Sequence, residues 1–118
     1  EEKSIAFNFM KDVEKKDIWG GHIISRPYEG AELSLVLFEL KEGFKFDDKG
    51  HKNHQVTWLV DGEIDFYSDN KEQSLNTDIG VSIGPEHSHG GVSKGAMGFD
   101  AFFPKRVEKK YKNFKNKA

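Results

Sequence analysis

The 118-residue chain contains no cysteine. Disulfide staples and thiolate metal sites are therefore excluded, and any metal must be held by imidazole, carboxylate or amide groups. Proline is scarce, at three residues, and each reads as the end of an extended run rather than as part of a linker. No stretch approaches the ~20 apolar residues that a membrane-spanning helix needs. There is no excess of positive charge either: the formal net charge is −2, which argues against a nucleic-acid-binding domain. No internal repeat or low-complexity segment interrupts the chain. Its length fits one domain, 1–118, with one core. The expected compartment is the cytoplasm, a leader removed before Glu1 being the other case.

The charge present is unevenly placed. From Lys105 onward there are seven basic residues and one acid, Glu108, which leaves 11 basic and 19 acidic residues before it. The body is acidic and the tail basic. Within the tail, Val107, Tyr111 and Phe114 recur at i, i+4 and i+7. That spacing predicts a short C-terminal helix over 107–118, with one apolar stripe laid on the body and lysines facing solvent. The acidic body opposes approach to phosphate, so neither a nucleic acid nor a membrane is an expected partner.

The rest reads as short strands punctuated by turns, the pattern of an all-β sandwich or barrel. A run at His22–Arg26 is stopped by Pro27. Leu33–Leu40 is nearly all apolar and, at eight residues, fits a buried strand. Gln55–Val60 and Glu63–Tyr67 flank Asp61-Gly62, a strong type I′ hairpin signal. Ser68–Glu72 is a polar turn, Gln73–Thr77 a weak strand, and Val81–Ile83 a short strand ended by Gly84-Pro85. His87–Gly98 reads as a glycine-rich loop with a strand possible at Gly91–Ser93. Ala96–Phe103 is apolar and aromatic, with Phe99, Phe102 and Phe103 expected in the core.

Four of the five histidines fall in two stretches: His51 and His54 before the central β-run, and His87 and His89 after Pro85. Side chains alternate faces along a strand, so His51, Gln55 and Thr57 share a face if extended, and His87 and His89 share parity. Neutral imidazoles gathered from non-adjacent strands make a metal site. Trp58 opposes the His51/Gln55 parity, which suits wall packing. A lone histidine such as His22 is read as structural, and a polar, metal-free pocket is the plainer alternative for the four.

These residues resemble the two conserved motifs of the cupin superfamily. Counting on from Gly43 places Lys49 and His51 at the paired-histidine positions, and counting back from Gly62 places Gln55 at the Glu/Gln position. Pro85-x-x-x-His89 is similar to the second motif, with Glu86 where the family prefers glycine. Phe103-Pro104-Lys105-Arg106 is similar to the closing segment of small single-domain cupins. The resemblance covers about 19–106 and implies an antiparallel jelly-roll β-barrel, open at one end, with a site in its mouth. The metal ligands it implies are His51, Gln55 and His89, with His54 or His87 completing the set where Lys49 replaces a histidine. The implied cofactor is one divalent transition metal (Fe, Ni, Mn, Cu or Zn). A neutral glutamine ligand would leave the whole +2 charge to act on an anionic substrate.

Three functions follow from the resemblance. One is an enzyme acting on a small metabolite, of dioxygenase, lyase or isomerase type. Another is a module that only binds or senses a small molecule, as Lys49 and the missing carboxylate at position 55 favour. The third is a metal-free sugar epimerase or isomerase with His51 as base and a tyrosine as acid. Single-domain cupins commonly pair through outer strands, so a homodimer is expected.

Overall fold

The computed structural model describes residues 4–18 and 20–106. The tail helix expected over 107–118 lies outside the described residues. Among these, eight strands and one short helix occur: α1 (Phe9–Asp12), β1 (Lys16–Ile18), β2 (Ile23–Glu29), β3 (Ser34–Leu40), β4 (Lys45–Asp48), β5 (His54–Ser68), β6 (Lys71–Leu75), β7 (Val81–Ile83) and β8 (His89–Phe103). Every strand pairing is antiparallel. No helix of the described residues is long and apolar enough to cross a membrane.

The spine is β5 and β8, each of 15 residues and paired along nearly their whole length. Both strands bend at one level. The register slips between Leu59 and Asp61 and again between Gly62 and Ile64. Gly62 (φ 81) and Gly95 (φ 88) sit at the bend in the left-handed region. A Cβ on Gly62 would overlap the Gly95 carbonyl oxygen, so only glycine fits there. The slip also changes the parity of burial: Gln55, Thr57 and Leu59 point inward before it, Ile64 and Phe66 after it. An added residue at a bulge has this effect, and it keeps one face of the strand concave around the corner.

The bend divides the sheet into two wings. In one the order is β1-β2-β3-β8-β5-β7; in the other it is β4-β8-β5-β6. Phe38, Leu59 and Ala96 of the first wing pack with Ile64, Phe66 and Leu75 of the second. Each fully buried Leu, Ile or Phe of this core contributes roughly 1.5–3 kcal/mol. The ladder does not close on itself, so the jelly roll is an open, folded sheet rather than a sealed barrel.

Several local expectations are corrected. Asp61-Gly62 is not a hairpin turn: β5 continues through it without reversing, and its glycine serves the bulge. The tight hairpin lies at Asp69-Asn70, where φ is 52 and 63 and Ser68 pairs with Lys71, as a type I′ turn requires. Pro27 does not stop β2. β1 covers only Ile23–Ser25, so at Pro27 the missing N–H faces no ladder partner on that side. The glycine-rich loop at 87–98 is mostly strand: its glycines admit close neighbours, and a Cβ at Gly90 would strike the Tyr67 hydroxyl. Of the three phenylalanines expected in the core, Phe102 is buried, Phe103 is 58% exposed, and Phe99 stacks outside on Trp58, centroids 5.4 Å apart.

Candidate metal centre

Strand register builds the centre. Asp48 ends β4 directly opposite His89, the first residue of β8, and such cross-strand neighbours meet on one face. Ser68 of β5 flanks His89 on its other side. His51 comes from the loop between β4 and β5, which is tied down at several points. Gly50 N donates to Asp48 Oδ1 over 2.9 Å, and Glu86 N donates to His51 O over 2.7 Å. The buried Asn53 donates to the Pro104 carbonyl. The loop, the turn before β8 and the segment after β8 are thereby held together.

The His51 and His89 rings meet edge to face, with centroids 5.4 Å apart. Ligand atoms of Asp48, His51 and His89 all lie within 4.8 Å of one another. Phe102 and Phe66 wall the pair, against His51 and His89 respectively. His89 is 4% exposed.

Hydrogen-bond direction fixes both tautomers. His51 Nε2 meets Gln55 Oε1 at 2.9 Å. An amide oxygen only accepts, so Nε2 carries the proton and Nδ1 keeps a lone pair. That Nδ1 is buried with no partner. His89 Nδ1 donates to the His87 carbonyl over 3.0 Å, which leaves Nε2 as its lone-pair nitrogen. Burial, then the neighbouring Arg106 guanidinium, holds the His51 pKa below its usual 6.5. The ring is neutral near pH 7, the state a metal ligand requires.

Gln55 continues the chain of bonds inward. Its Nε2 donates to Thr57 Oγ1 (2.8 Å) and Asp100 Oδ1 (3.2 Å), and Thr57 Oγ1 donates to Asp100 Oδ1 (2.6 Å). Burial pushes the Asp100 carboxyl up to about 6. Arg106 Nη2 donates to Asp48 Oδ2 over 3.1 Å, and its guanidinium lies over the Phe102 ring, 5.2 Å from the centroid. Beneath the centre is a cavity of about 160 Å³, mainly apolar, between the two wings.

Of the five histidine and glutamine candidates, the structure brings together His51, Gln55 and His89. It does not bring in the other two. His54 is one residue out of phase with Gln55, so it faces outward and meets Ser82 Oγ at 2.9 Å. His87 precedes β8, in the turn where Glu86 has φ 65, and its exposed ring pairs with Asp69. The residue that joins the two histidines is Asp48, one position before the exposed Lys49. Asp100 and Arg106 also escaped the sequence reading. No periodicity marks Asp100, and Arg106 reads as the start of the basic tail.

No family model matches the sequence, and no curated protein matches it. Solved structures do. An RmlC-like cupin from Shewanella frigidimarina superposes with a TM-score of 0.76 at 24% identity, over 92% of this chain and 96% of its own. KdgF from Halomonas sp. gives 0.75 at 16%, over 86% and 96%. FeII HppE gives 0.73 at 11%, over 86% and 62%. At these identities the likeness is one of fold: the chain has the cupin fold.

Proposed function

We propose that this chain is a mononuclear metal-binding cupin that binds or transforms a small metabolite in the cavity under Asp48, His51 and His89. The observation that carries this is the Asp48, His51 and His89 cluster, whose ligand atoms lie within 4.8 Å of one another, together with a buried, unpartnered Nδ1 on His51. A buried polar atom without a partner costs about 1–3 kcal/mol, and an ion would relieve it. Two neutral imidazoles and one carboxylate form the donor set of non-haem Fe(II) sites. Gln55 Oε1 accepts from His51 Nε2 over 2.9 Å and so turns the lone pair of that ring to Nδ1. Bound there, a divalent ion would act as a Lewis acid on a substrate oxygen.

The chain's own residues define the surroundings. The Gln55–Thr57–Asp100 chain orients His51, as outer partners of metal-bound histidines do. Phe66 and Phe102 exclude water from the rings. A metal-free isomerase needs an acid near His51, and no tyrosine of the described residues lines the cavity. Tyr28 stacks on Phe7, and Tyr67 leans on Asp47 outside. A purely binding module keeps one point in its favour: Asp48 already has a cation in Arg106.

Metal analysis of protein prepared without chelator or nickel resin tests the proposal. The expected result is close to one transition-metal ion per chain, with affinity falling about 10–100-fold in Asp48→Asn. No uptake from micromolar metal, or an Asp48→Asn variant that binds equally well, would sink it.

A further inference from the structure

The cavity's uncommitted polar atoms describe its occupant. Gln55, Thr57 and Asp100 Oδ1 are satisfied by one another. Asp47, also on the wall, faces Tyr67. Arg106 is different: its Nη2 serves Asp48, while Nε and Nη1 donate to no acceptor among the described residues. The guanidinium is presented rigidly, because Arg106 N donates to Ser34 Oγ and the preceding Lys105 N donates to Glu32 O, each over 2.9 Å. Its side chain is 11% exposed.

A second orphan lies deeper. Ser25, on the cavity wall, is 1% exposed, and its Oγ has no partner. Across the sheet Ser25 pairs with Phe38, Phe38 with Gly98, and Gly98 with Leu59. That row is four residues beyond Gln55, about 13 Å along the strand. Between the two levels the walls are Val36, Phe38, Ile64, Phe66 and Leu75. A volume of about 160 Å³ matches a cavity that holds a six-carbon ring.

Building on the metal reading above, we infer that the occupant is a small monocarboxylate with an apolar body of about six carbons, its head at Arg106 and the metal centre and its far end at Ser25. A planar guanidinium edge matches a carboxylate in two bonds. A second carboxylate would face Asp100. A sugar acid would bury several hydroxyls against apolar walls, each unpaired group costing about 1–3 kcal/mol.

The test is calorimetric titration with four six-carbon acids: hexanoate, 6-hydroxyhexanoate, adipate and glucuronate. Each is titrated into the Ni(II)-loaded and the metal-free protein. The two monocarboxylates are expected to bind at least about tenfold tighter than the other two, with 6-hydroxyhexanoate first. Ser25→Ala is expected to remove the about fivefold hydroxyl advantage and leave hexanoate within twofold. Arg106→Lys, which keeps the charge, is expected to weaken both monocarboxylates about tenfold. Failure to take up Ni(II) with the order of acids intact sinks the metal reading alone. Ni(II) uptake with glucuronate or adipate preferred, or with no acid bound, overturns the monocarboxylate. A Ser25→Ala variant that keeps the hydroxyl advantage removes Ser25 from the site.

Discussion

His51 and His54 are three residues apart, and His87 and His89 two, yet each pair is split. One member, His51 or His89, belongs to the packed ring pair and the other is exposed. For His54 the cause is strand parity, since β5 places Gln55 inward and its neighbour outward. For His87 the cause is a turn: the chain has not yet entered β8, so the shared parity of 87 and 89 has no strand to act on. Residue type is the same on both sides of the split. Strand parity separates one pair, and the start of the β8 ladder separates the other.

That contrast is easiest to break with the inner pair. His51→Ala or His89→Ala is expected to lower metal affinity more than about 100-fold, a larger loss than outer-partner substitutions give. His54→Ala and His87→Ala are expected to stay within about twofold, read by competition with a chelating dye. Equal losses in all four would mean that the turn before β8 rearranges to bring the outer rings in.

The inward face was the more legible of the two in the sequence. Alternation from Gln55 to Leu59 is local and readable, and the resemblance to the cupin motifs pointed to His51, Gln55 and His89, which the structure brings together. It missed Asp48 because its place is set by the pairing of β4 with β8, some forty residues apart in the chain. The hairpin expected at Asp61-Gly62 from turn chemistry fails for a related reason. Asp-Gly signals positive φ, and Gly62 has it, but a bulge and a hairpin use the same backbone freedom. Only the partner, Gly95 in β8, decides between them. The β class and the apolar core followed from composition and run length; the bend, which gives the two wings their common interior, did not.

A smaller effect separates two buried groups of the centre by pH. His51 titrates below its usual value, so on acidification the unfolded chain takes its proton first. The stability it contributes is complete above about 6.5 and is lost as pH falls through the native value. Asp100 runs the other way. Its carboxyl, raised to about 6 from 3.8, holds in the native chain a proton that the unfolded chain has released, so stability falls as pH rises across that window. In metal-free protein, Asp100→Asn is expected to add about 2 kcal/mol at pH 8 and little at pH 4. Denaturant unfolding at the two pH values measures this. A gain of equal size at both would show that the benefit comes from packing and not from the buried charge.

The smallest effect belongs to the outer pair. His87 Nδ1 stands 3.1 Å from both Asp69 oxygens, but the two side chains are 52% and 61% exposed. An ion pair so wet is worth no more than about 0.5 kcal/mol, and a double-mutant cycle with His87→Ala and Asp69→Ala is expected to return that or less. His87 does touch the centre, through its carbonyl, which accepts from His89 Nδ1 and so fixes which nitrogen of His89 keeps the lone pair. A side-chain substitution leaves that carbonyl in place. A coupling well above 1 kcal/mol, or metal affinity that falls with His87→Ala, would mean that the Asp69 contact holds the turn's backbone in position. The outer histidine would then belong to the centre after all.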